Sequence, residues 1–243
     1  MRKFFQGVWR VVTFPFRLVF SILAFPFRAI YRFYKFLNTE PAESQFADAV
    51  ASLVSDTNAR ESLWDHIEQL RMHIIRSVVV LSIAVIASFW VAQDAMGFLA
   101  IPVGGLEKLQ AIQVTEEIGV FMRVAMMIGI AAAFPWIAME VWLFAAPGLK
   151  PREKKFGLAA IPIATLLFLT GMAFTYYAML PTALPFLGSF TKISQFWAAK
   201  EYFSFVTGLM VWIGLFFEFP LVIFVLSSLG LVQPKFLAEQ WRI

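Results

Sequence analysis

VFMRVAMMIGIAAAFPWIAMEVWLFAAPG, residues 120–148, contains only two charged side chains, Arg123 and Glu140. A helix needs about 20 largely apolar residues to cross the hydrocarbon of a bilayer. This stretch is long enough. Backbone groups in lipid must be paired within the segment, so it reads as a helix. Three other stretches have the same character: IIRSVVVLSIAVIASFWVA at 74–92, FGLAAIPIATLLFLTGMAFTYYAML at 156–180 and YFSFVTGLMVWIGLFFEFPLVIFVLSSLGLV at 202–232. The fold expected from them is all-α, a polytopic transmembrane helix bundle with four spans.

Composition agrees. The 243 residues are 60% hydrophobic and 15% charged, with a mean hydropathy of +0.75. A soluble globular domain carries roughly 25% charged residues. There is no cysteine, which excludes disulfides, thiolate metal sites and cysteine nucleophiles. His66 and His73 lie seven residues apart on one helix face. That face has too few ligands for a metal, and both read as interfacial polar residues. No HExxH, GxSxG or phosphate-binding loop is present. A lone membrane carboxylate is not a general acid–base pair. The expectation is a chain that is not an enzyme and uses no metal or other cofactor.

The net charge of +4 is unevenly placed. Residues 1–37 hold seven Lys or Arg and no acid; residues 38–61 hold five acids and one Arg. The basic charge therefore suits a local surface partner and not nucleic acid in general. The link between the second and third spans, LKPREKKF, has four basic residues against Glu153, whereas the link between the first two has Asp94, Glu107, Glu116 and Glu117 against Lys108. The positive-inside rule puts the 150–155 loop in the cytoplasm, and with it the N-terminus.

Residues 1–37 repeat FPFR at 14–17 and 25–28, and Lys3, Arg10, Arg17, Arg28 and Lys35 return to one helix face. The apolar stretch between Arg17 and Arg28 is too short to span, and Pro15 and Pro26 interrupt a helix. We read a basic, Phe-rich amphipathic arm on an anionic lipid surface; an extra anchor of no specific function is the alternative reading. A signal peptide is disfavoured, because no small-residue cleavage site follows. Residues 38–61 read as an acidic polar linker, with a short surface helix suggested by Phe46, Val50, Leu53 and Val54. Ser62 to Asp65 reads as a capping box opening the first long helix.

The charges near the spans differ in weight. Glu218, in GLFFEFPL, has apolar neighbours on both sides. A carboxylate in hydrocarbon costs on the order of 2.5–3.5 kcal/mol and defaults to a functional residue facing protein or water; a protonated, helix-gluing acid is the rival reading. Pro220 frees a carbonyl near it. Glu140, toward the cytoplasmic end of its span, is expected to snorkel to the head groups, as are Arg76 and Arg123. Glu153 reads as a loop charge compensating its basic neighbours.

Four stretches, in order, are similar to one family: HIEQLR at 66–71, FPWIAMEVWLFAAPGLKPREKK at 134–155, FLTGMAFTYYAMLPTALPFL at 168–187 and YFSFVTGLMVWIGLFFEFPL at 202–221. Together they resemble TatC, the multi-span subunit of the twin-arginine protein translocase, over about 62–243. The resemblance implies recognition of signal peptides bearing an Arg pair at the cytoplasmic face of the plasma (cell inner) membrane. It implies export of folded proteins with TatA- and TatB-like small subunits, in an oligomeric complex driven by the proton-motive force. It also implies a recognition patch that pairs a carboxylate of an HLxELR-type motif with one in the loop after PGL. The second falls on Glu153. At the first, the usual Glu position is Gln69 and the carboxylate stands one residue earlier, at Glu68. One residue turns a helix side chain by about 100°, so Glu68 and Gln69 stay joint candidates, with Arg71 beside them. Pro102, Pro135, Glu140 and Phe144 are the other positions carried by the resemblance, and Glu218 matches an intramembrane polar position where partner helices dock. The family has six spans, whereas this sequence stops at PKFLAEQWRI; truncation before a fifth span is favoured over a four-span variant. Apart from the family, a proton-coupled transporter using Glu218 and a membrane scaffold are the alternatives.

Overall fold

The computed structural model describes residues 35–39, 57–189 and 197–228, with 57–66 as backbone only. The expected arm up to residue 34, the linker helix over 46–54 and the final residues 229–243 lie outside the described residues. Among the described residues, four helices are long and apolar enough to cross a membrane. They are α1 (Thr57–Ala100), α2 (Glu116–Ala145), α3 (Pro151–Ser189) and α4 (Ala199–Ser228). Inside α3, Thr175–Met179 is a π-helical turn.

The helices overrun the apolar stretches. α1 is already helical through Ser62 to Asp65, so that tetrapeptide does not open it. The reason is local: TNARESLWDHIEQL has no Gly or Pro and is rich in good helix formers. α1 then carries on eight residues past Ala92 and stops where Pro102 starts a 3-10 turn, Ile101–Val103. Gly104 and Gly105 follow with φ of +98° and +102°, a region that favours glycine. α2, α3 and α4 run through Pro135, Pro162, Pro181, Pro185 and Pro220. Each proline removes one ladder bond; Pro220 frees the carbonyl of Phe216.

α1 packs chiefly on α2, α3 chiefly on α4, and α2 also contacts both α3 and α4. The main core gathers at the end away from the 150–155 loop. Leu99, Val120, Val124, Phe168, Met172, Leu180, Phe203 and Val206 are buried there. Two tyrosines cross-link it: Tyr176 Oη donates to Phe98 O and Tyr202 Oη to Leu99 O, both at 2.7 Å. These bonds reach carbonyls in the last turn of α1, where a helix lacks its own donors. The Glu116 carboxylate accepts from the backbone N–H of Ile112, Gln113 and Lys200, which ties the loop after α1 to the start of α4. A two-residue parallel pairing, Leu109–Gln110 with Trp197–Ala198, completes this end.

α3 and α4 cross at glycine. A Cβ built on Gly171 falls 2.8 Å from Gly214 Cα and 3.0 Å from Ile213 O. With lipid on the outside, helices associate by such close packing, not by hydrophobic exclusion from water. At the basic end the second cluster is small, Leu37, Trp142 and Ala146, and the bundle is open there.

Candidate functional site

The site starts from the way α3 begins. Lys150 is extended, and Pro151 occupies the first helical position, where its missing N–H costs nothing. Glu153 sits at the third helical position and its Oε2 accepts the Lys150 backbone N–H at 2.9 Å. This bond fixes the carboxylate at the helix N-terminus, where the helix dipole favours an anion. A carboxylate has about four acceptor directions, so one bond leaves capacity for an external donor. Lys150, Arg152 and Lys155 are exposed around it, whereas Lys154 is 2% exposed.

From Glu153 a groove of about 700 Å³ runs between α2, α3 and α4. Phe134, Val141, Trp142, Phe156 and Leu215 line it, with Arg152, Glu153 and Glu218 as its charged members. Glu218 is 8% exposed and its Oε1 has no hydrogen-bond partner among the described residues. It lies ten residues before the described end of α4, a depth of about 15 Å at 1.5 Å per residue. An apolar trough thus has one carboxylate at its mouth and another inside.

Glu68, Gln69 and Arg71 stand exposed on the lead-in of α1 and do not line this groove. Arg71 Nη1 lies 3.3 Å from Glu68 Oε1, one helical turn apart. Glu140 does not snorkel: it is 3% exposed, and its Oε2 meets His73 Nδ1 at 2.5 Å. Phe144 packs edge-on to His73, centroids 6.2 Å apart. His73 is therefore the partner of a buried carboxylate and not just an interfacial residue. The signal for this pair was two polar residues at matching depth on antiparallel neighbours. Arg123 also has a partner, donating to Ser204 Oγ at 2.6 Å. Pro102 lies in the turn after α1, and Pro135 is exposed in mid-α2.

Sequence reasoning missed Lys154, Trp142 and Glu116. Only Glu116 had a local signal, since a carboxylate at a helix start is a common acceptor for orphan N–H groups.

Comparisons with known proteins point one way. A family model described as Sec-independent protein translocase protein (TatC) matches residues 65–243. The chain is 34% identical over 180 residues to Sec-independent protein translocase protein TatC of Halalkalibacterium halodurans, covering 72% of this chain and 71% of that one. It is 35% identical over 181 residues to the TatC of Carboxydothermus hydrogenoformans, covering 73% and 74%. A crystal structure of a twin-arginine translocase receptor, TatC, matches with a TM-score of 0.65 and 30% identity, over 72% of this chain and 80% of that chain.

Proposed function

The chain belongs to the TatC family of Sec-independent protein translocase proteins, and from that premise we propose that it reads the Arg pair of a signal peptide at the end where α3 begins. Membership makes it a membrane component of the twin-arginine translocase and sets the transporter and scaffold readings aside. The Lys150–Lys155 end and the N-terminus face the cytoplasm of the cell inner membrane, by the excess of Lys and Arg there. The chain acts as a receptor and not as a catalyst. It works with TatA- and TatB-like subunits in an oligomeric complex that uses the proton-motive force to move folded cargo.

One observation carries the receptor reading: Glu153 is fixed by its bond to the Lys150 N–H at the mouth of an apolar groove. A guanidinium is a planar fork that a carboxylate matches well, and the apolar part of a signal peptide suits an apolar trough. Glu68 or Gln69 supplies the second contact, from the lead-in of α1. Glu218, inside the groove, is the polar point for partner helices. By this reading residues 1–37 are a lipid-surface arm whose end, 35–37, docks on the bundle, 38–61 a linker whose last residues from Thr57 already belong to α1, and 62–243 the translocase domain.

The test is Glu153→Gln, with binding of an Arg-Arg signal peptide measured in membranes. A charge-assisted hydrogen bond contributes about 1.5–3 kcal/mol, so binding is expected to weaken roughly tenfold or more. Unchanged binding removes Glu153 from the site.

A further inference from the structure

The charge balance around Glu153 raises a problem that residues 35–39 address. Four basic side chains stand within three residues of it, and a ligand with two guanidiniums would be repelled by all of them. Lys150, Arg152 and Lys155 are exposed; they can extend into water, where salt screens charges beyond about 8 Å. Lys154 cannot, because it is buried.

Its ammonium is instead held by the chain segment that leads from the N-terminal arm. Lys154 Nζ donates to Thr39 O at 3.0 Å and to Phe36 O at 3.4 Å. It also lies 4.8 Å from the centroid of the Phe36 ring. Residues 35–38 form one helical turn, closed by Thr39 Oγ1 donating to Lys35 O at 2.7 Å. Carbonyls at a helix C-terminus and the face of an aromatic ring both attract a cation. The turn is itself anchored by burial. Leu37 clusters with Trp142 and Ala146, and Phe36 meets Trp142 edge-on with centroids 6.4 Å apart. Trp142 in turn lines the groove that contains Glu153.

We propose that residues 35–39 are a positioning element for the recognition site: docked at the α2–α3 corner, they hold the Lys154 ammonium on their own carbonyls and so keep its charge out of the rim around Glu153. This rests on the reading of Glu153 as an Arg acceptor. Released from the turn, Lys154 would add a fourth free cation at the rim; it would not pair with Glu153, because side chains one residue apart on a helix do not face each other. That added charge opposes a doubly cationic ligand. A turn that only packs the corner would matter whatever side chain stood at 154. A turn that manages charge matters only while that side chain is cationic.

The experiment is a set of variants of the full chain in membranes, titrated with an Arg-Arg signal peptide. Phe36→Ala with Leu37→Ala is expected to weaken binding roughly three- to tenfold, as a unit charge at the edge of a low-dielectric site does. Lys154→Met alone is expected to bind as the parent does. Adding Lys154→Met to the double variant is expected to restore binding. Phe36→Ala alone removes the ring but leaves Leu37 packed, and serves where the double variant fails to accumulate. As a direct readout, an amine-reactive reagent should label Lys154 poorly in the parent and well once the turn is lost. Unchanged binding in the turn variants, failure of Lys154→Met to rescue them, or unchanged labelling overturns the proposal. Glu153→Gln in the same assay separates the two ideas. If it weakens binding but the turn variants do not, only the positioning role falls. If it binds as the parent does, the recognition reading falls and the positioning role with it.

Discussion

At the scale of single residues, His73 and Glu140 define the basic end of the α1–α2 contact. Their 2.5 Å contact lies where Glu140 is almost wholly shielded from water. Removing one partner of a buried pair leaves an uncompensated polar or charged group and costs about 3–5 kcal/mol, whereas an apolar replacement of both is often neutral. His73→Ala should therefore lower the thermal unfolding midpoint in detergent markedly, and His73→Leu combined with Glu140→Leu should recover most of the loss. Equal losses in the single and double variants would mean that the pair does not act as a unit. The sequence misled here for a physical reason. A glutamate five residues after Pro135 and near a span end has a stem long enough to reach the head groups. Only the placement of α1 against α2 reveals that an imidazole waits beside it.

At the scale of elements, the four spans were legible because each is a long apolar run with few charges, and lipid leaves a helix as the sole option. Their ends were not. Apolarity marks the hydrocarbon layer, while a helix stops where its backbone must. α1 runs on to Ala100 and ends at a proline–glycine turn, and the polar lead-in from Thr57 stays helical because nothing in it breaks the ladder. Glu153 was visible as a residue, but its fixation by the Lys150 N–H depends on where α3 starts. The Tyr176 and Tyr202 bonds to α1 were hidden altogether, since they join residues 78 and 103 positions apart. Among element contacts, the α3–α4 crossing makes the sharpest prediction. Gly171 leaves no room for a side chain against Gly214. Overpacking a tight contact costs about 1–3 kcal/mol, so Gly171→Leu should destabilise the bundle by that order in a detergent unfolding series. Gly171→Ala already places a Cβ in that contact, and Gly208→Ala, where a Cβ meets nothing within 4 Å, is its matched control. Equal behaviour of the two alanine variants would show that the crossing is not close-packed in the folded bundle.

At the scale of the whole molecule, the helices are knitted together at one end and open at the other. The tyrosine bonds, the Glu116 carboxylate and the main core close the end where α1 finishes. The opposite end holds the groove, Glu153 and the turn from residues 35–39. A rigid base with an open mouth suits a receptor that must admit part of a peptide while keeping its recognition groups in place. The most direct test is site-specific photo-crosslinking in membranes, with the probe at Leu149, which lines the groove beside Glu153, and separately at Gln69 on α1. Signal peptides carrying Arg-Arg or Lys-Lys would be offered in turn. The account predicts crosslinks at both positions with Arg-Arg and far weaker ones with Lys-Lys, because the ammonium lacks the planar fork. Crosslinks at neither position, with the protein intact in the membrane, would contradict it.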